Sequence, residues 1–164
     1  MIQNLHGAAG SGTLMFMVNE ERNKHEFFMR KCIDLALIAK SKGDRPIASI
    51  IIRNEKIITE AVEGGKVYKD ITYHAEIVAI RQAIRLLDVQ DLSDCTMYTT
   101  HEPCIMCSYV IRHTGISQIV IGATTGEIGG VSSQLPLLLD TSIKRWRKPP
   151  DIICGILENE CREL

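Results

Sequence analysis

Apolar positions take up helical spacing from His25 onward. Phe28, Cys32, Leu35, Ala36 and Ala39 fall on one stripe, and Gly43 ends it. Ile47 to Ile52 is a continuous apolar run of strand type, which Asn54-Glu55 turns into a second strand over Lys56–Val62. A loop begins at Gly64-Gly65 and runs to about Thr72. The next amphipathic segment, about His74 to Leu87, points Ile77, Ile80, Ala83, Ile84 and Leu87 inward. Strands are expected over Thr96–Thr100, Gln118–Gly122 and Asp151–Cys154. Helices are expected from near Cys104 to Gly115, over Leu135–Leu139 and over Leu157–Leu164. Thr124 to Ser133 reads as a glycine-rich loop. The alternation predicts one α/β sandwich built on a mixed sheet, without repeats.

Residues 1–24 read as a flexible extension, and 25–164 as one domain. Gly7 to Gly12 is linker-like, and Leu14 to Val18 is too short for the apolar stretch of a signal peptide. Met17 is an alternative start, which the intact mass of the natural protein would test.

Composition narrows the classes. The chain has 164 residues, 45% hydrophobic and 24% charged, with 19 Lys+Arg against 20 Asp+Glu. That is enough for one real core and argues against global disorder. No apolar run approaches the roughly 18 residues of a membrane span. A net charge of −1 supplies no global attraction to polyanions. The six cysteines do not read as a disulfide framework, because a chain of this size needs no staples. A cytoplasmic location is expected.

Two segments carry chemistry: His74-Ala75-Glu76 and Pro103-Cys104-Ile105-Met106-Cys107, each at the start of an expected helix. A helix N-terminus favours thiolate, and cysteines at i, i+3 share a face. With His74 they make three ligands and leave a fourth position open, as in catalytic rather than structural zinc sites. Glu76 is then placed beside the open position as a proton carrier. Three other readings stand beside this one. Cys104 and Cys107 form a redox pair, or are core residues, or belong to a closed zinc site completed by Cys95, His101 or His113.

His-x-Glu followed by Pro-Cys-x-x-Cys is the signature of zinc deaminases of nucleobases. With these residues the chain resembles the cytidine deaminase-like superfamily, nearest the branch of tRNA adenosine deaminases and bacterial guanine deaminases. The resemblance runs from His25 through Thr72–Ile80 and Glu102–Cys107 to Gly155-Ile156-Leu157 and Glu160-Cys161. It implies a three-layer α/β/α sandwich with a five-stranded sheet, and one zinc ion on His74, Cys104 and Cys107. It further implies proton transfer by Glu76, a substrate contact from the Ala75 N–H, and a homodimer. The implied reaction is hydrolytic loss of an exocyclic amine as ammonia.

Three departures bear on the substrate. Glu63 stands where the family often has an Asn that contacts substrate; an ionised Glu only accepts hydrogen bonds, which suits a guanine-like edge. Tyr73 stands where the family often has a small residue, and is a candidate to stack on a base. The chain ends at Leu164 without the basic helix of many tRNA adenosine deaminases. Against this, Lys144-Arg145-Trp146-Arg147-Lys148 is a basic run with an aromatic of the kind that holds single-stranded RNA. His101, next to the zinc motif, is a further candidate for the pocket. The leading expectation is a zinc aminohydrolase of a small purine, guanine first. The alternative is a tRNA adenosine-to-inosine deaminase, and the third is a non-catalytic zinc module.

Overall fold

The computed structural model describes the backbone of residues 10–164, with side chains from residue 19 onward. The elements are α1 (Gly10–Ser41), β1 (Ala48–Arg53), β2 (Lys56–Val62), α2 (Ala75–Leu87), β3 (Thr96–His101), α3 (Ile105–Thr114), β4 (Gln118–Ala123), β5 (Asp151–Cys154) and α4 (Glu158–Arg162). They form one five-stranded sheet in the order β2-β1-β3-β4-β5. β1 runs antiparallel to β2 and β3, while β3, β4 and β5 are parallel, so the sheet is mixed as expected.

Each face of the sheet carries its own core, which makes three layers. On one face Ile51, Met97, Ile119 and Ile121 meet Ile80 and Ala83 of α2 and Ile111 of α3. On the other, Ile50, Tyr98 and Val120 meet Phe28, Met29 and Cys32 of α1 and Cys161 of α4. Neighbouring residues of a strand point to opposite faces, so Ile50 and Ile51 serve different cores. This is why β1 is apolar at the consecutive positions Ile50, Ile51 and Ile52.

Turn chemistry sets the ends. Asn54 and Glu55 both take positive φ, 50° and 61°, as a two-residue hairpin of primed type requires. α3 ends on Gly115 in the left-handed conformation, where its N–H bonds to the Ile111 carbonyl.

Three expectations are corrected. The extension read over residues 1–24 is helical from Gly10, since α1 begins there; positions 1–9 lie outside the described residues. Nothing between Thr13 and His25 breaks a helix, and extending a formed helix is cheaper than starting one. Leu135–Leu139 forms turns instead of a helix. Pro136 leaves no N–H to donate there, and the buried Leu138 donates its own N–H to the Gly130 carbonyl. The last helix is shorter than expected, because Leu157 caps it from the left-handed region at φ 53°.

Candidate active site

His74 is the N-cap of α2 and Cys104 the N-cap of α3. Neither side chain caps its own helix, so each is free to face the other across the gap between the helix starts. Cys107, on the first turn of α3, completes the group. Cys104 Sγ lies 3.6 Å from His74 Nδ1 and 3.7 Å from Cys107 Sγ, and Cys107 Sγ lies 3.5 Å from His74 Nδ1. A tetrahedral ion with Zn–S of about 2.3 Å and Zn–N of about 2.0 Å has ligand edges of about 3.8 Å and 3.5 Å. The three separations match those edges. His74, Cys104 and Cys107 are the one metal-binding group of His, Cys and carboxylates among the described residues. Cys95, His101 and His113 do not join it, so among the described residues no fourth protein ligand closes the site. The open position is that of a catalytic zinc.

The electrostatics favour ligation. The hydrogen bond with Cys107, with the His74 imidazole beside it, pulls the Cys104 thiol down to about 4. The Cys107 thiol is raised, first by its hydrogen bond with Cys104 and then by burial. His74 is raised to about 8 by its hydrogen bond to Cys104. A metal that takes this group displaces the shared protons.

Glu76 follows on the first turn of α2 and is 3% exposed. Its Oε2 accepts from Cys107 Sγ at 3.5 Å, but it stands outside the ligand group. Burial pushes its carboxyl up to about 7. Ala75 is buried at the first position of α2, where helix N–H groups have no partner within the helix.

A cavity of about 270 Å³ opens over these groups. His74, Glu76 and Cys104 line it, together with His101 and Glu102 at the end of β3, Thr125 and Ile128 from the following loop, and Arg45, Pro46 and Ile47 ahead of β1. His101 is thus part of the wall. Its Nδ1 is 3.2 Å from Thr100 Oγ1, and burial, with Arg162 nearby, lowers its pKa.

Glu63 and Tyr73 line a different, smaller cavity of about 130 Å³. Tyr73 packs its ring 4.3 Å from that of Tyr68, and a side chain at Gly64 would strike both. Glu63 is buried, its Oε2 has no partner, and burial raises its pKa. It feels the charge of His74 without lining the cavity above the zinc ligands. The basic run Lys144–Lys148 lies between β4 and β5, against the far end of α3. There Arg147 grips Asp91 through two hydrogen bonds, and Arg112 lies 5.1 Å over the Trp146 ring.

Two charged wall residues escaped the sequence reading. Arg45 precedes Pro46 in what reads only as a loop. Glu102 was read only as part of a motif. Its carboxylate is buried and accepts from the backbone N–H of Thr125, Val131 and Ser132 and from Ser132 Oγ. Burial opposes the charge, but these donors outweigh it and hold the carboxyl below its usual range. Gly129 passes so close that a Cβ would lie 2.2 Å from this carboxylate, and its backbone bridges to Cys104. Glu102 thus straps the 125–132 loop to the metal helix. The available signal was an acid directly before the cysteine motif, paired with a Gly-Gly loop later in the chain.

Comparison with known proteins agrees with this geometry. The family model described as "Cytidine and deoxycytidylate deaminase zinc-binding region" matches residues 22–123. A protein named tRNA-specific adenosine deaminase from Aquifex aeolicus is 34% identical over 128 residues, 76% of this chain and 85% of that one. Its namesake from Rickettsia bellii is 37% identical over 134 residues, 80% and 90% of the two chains. A structure from work on A-to-I editing by tRNA:A34 deaminases superposes with a TM-score of 0.78 at 28% identity, covering 84% of this chain and 97% of the other. Guanine deaminase from Bacillus subtilis gives 0.59 at 33% identity, covering 61% and 64%. Among the described residues, no helix is long and apolar enough to cross a membrane. The chain belongs to the cytidine and deoxycytidylate deaminase family of zinc-binding hydrolytic deaminases.

Proposed function

We propose that this chain deaminates an adenosine within tRNA to inosine. The observation that carries the reading is the similarity to proteins named tRNA-specific adenosine deaminase, over three quarters or more of this chain and 85% or more of theirs. The small-purine reading, with guanine first, leaned on Glu63 as an acceptor for a guanine-like edge. Glu63 lines the smaller cavity and not the one over the zinc ligands.

In this reading His74, Cys104 and Cys107 hold zinc, which when bound supplies a Lewis acid that brings the pKa of water towards neutrality. Glu76 takes one proton from the attacking water and delivers it to a ring nitrogen, then carries the second proton, from the hydroxyl just added, to the exocyclic amine. A carboxyl raised to about 7 accepts and releases protons with nearly equal ease at neutral pH. The carbon–nitrogen bond breaks, a carbonyl forms, and ammonia leaves. The Ala75 N–H helps hold the base beside Glu76, and His101 closes one wall around it. The basic run over residues 144–148 offers charge for the RNA backbone, and the protein works as a homodimer.

Incubation of zinc-loaded protein with tRNA, followed by nucleoside analysis, tests the reading. Inosine in the anticodon loop is the expected product. Ammonia from free guanine with no inosine in any tRNA would overturn it and restore the small-purine reading.

A further inference from the structure

We infer that Arg45 forms a phosphate subsite at the edge of the zinc cavity, specific for the phosphate ester of a nucleoside. The inference rests on the proposed action on a nucleoside, and it adds what the substrate must carry.

Arg45 is the one Lys or Arg among the described residues that line this cavity. It is exposed, and its guanidinium enters none of the ion pairs found among the described residues. The chain holds it in place from both sides. Behind it Asp44 is buried, and its carboxylate accepts the backbone N–H groups of Lys66 at 2.7 Å and Val67 at 3.3 Å. Ahead of it the Ile47 N–H bonds back to the Arg45 carbonyl at 2.8 Å, closing a three-residue turn around Pro46. Pro46 has a fixed φ, so the turn is stiff. The backbone that carries this unpaired guanidinium is therefore fixed at the edge of the cavity.

The neighbouring charges fit that role. The Asp44 carboxylate is engaged by backbone donors, and Glu102 is saturated by its own four. Neither forms an ion pair with Arg45. The planar fork of a guanidinium matches two phosphate oxygens and has no comparable partner on a neutral purine ring. A base lying over His74 and Glu76 would place its sugar and phosphate towards the solvent edge of the cavity, where Arg45 stands. The phosphate could be a phosphodiester of RNA or the terminal phosphate of a nucleotide. The chemistry is shared, and the substrates used in the test separate the sources.

The test compares the wild-type protein with Arg45→Gln and Arg45→Lys on an anticodon-stem hairpin RNA, on AMP and on adenosine. Zinc content and melting temperature are measured alongside to exclude a folding defect. Arg45→Gln is expected to raise KM for the phosphate-bearing substrate about tenfold to a hundredfold, with kcat little changed. On RNA the slope of log affinity against log salt should fall by about 0.7, the loss of one single-strand phosphate contact. Arg45→Lys should keep the salt slope and recover only part of the KM, since it keeps the charge without the fork. Hairpin turnover by the wild type with unchanged KM and salt slope in Arg45→Gln would overturn the subsite and leave the tRNA reading standing. Turnover of AMP but not hairpin, with KM still dependent on Arg45, would overturn the tRNA reading and support the subsite. Turnover of adenosine or a free base alone would overturn both.

Discussion

Glu76 and Glu102 are two buried carboxylates with opposite surroundings, and the contrast assigns their work. Glu76 has one weak sulfur donor and is pushed up to about 7, so its proton is mobile near neutrality. Glu102 has four donors and is held ionised, so it serves as an anchor. Replacing Glu76 by Gln should lower kcat by about a hundredfold to ten-thousandfold, the usual contribution of a positioned acid–base. Zinc content should be unchanged, because Glu76 is not a ligand. Steady-state kinetics with metal analysis on the same sample checks this; near-normal kcat would remove Glu76 as the proton carrier.

Among elements, the 125–132 loop depends most on a distant residue. It has little apolar content of its own, and three of its backbone donors end on Glu102. Glu102→Gln preserves volume but turns an amide NH2 towards N–H groups that need an acceptor, and an unsatisfied buried donor costs about 1–3 kcal/mol. The amides of Thr125, Val131 and Ser132 should then exchange with solvent about fivefold to a hundredfold faster, since each 1.4 kcal/mol is a factor of ten. Thr125 and Ile128 line the substrate cavity, so KM should rise more than kcat falls. Unaltered exchange at those amides would show that the loop holds itself.

For the whole molecule, the metal centre joins α2 to α3, which otherwise meet through few side chains. Zinc binds the folded state, and at a thousandfold excess over its dissociation constant it stabilises by about 4 kcal/mol. For a domain of this size a chelator should therefore lower the melting temperature by about 8–16 °C, and added zinc should restore it. A melting curve indifferent to chelator would mean that the helix starts are held in register without metal.

The order of strands and helices, the hairpin at Asn54-Glu55, the cap at Gly115, the three ligands and Glu76 were all legible in the sequence. Each depends on local rules: apolar period, residues that tolerate positive φ, and short spacings at helix starts. The same rules failed at the helix proposed for Leu135–Leu139, where Leu138 is held by a distant carbonyl and not by local propensity. They also started α1 fifteen residues late, because the polar stretch Asn19–Lys24 interrupts the apolar pattern ahead of His25. Glu63 and Tyr73 are near His74 in sequence, yet both line another cavity. Arg45 and Glu102 read as loop and motif, yet both line the site. Sequence spacing alone determined which residues share a helix turn, and so it located the metal. Which side chains share a cavity depends on how loops from three separate parts of the chain close over one end of the sheet, and only the tertiary structure decided that.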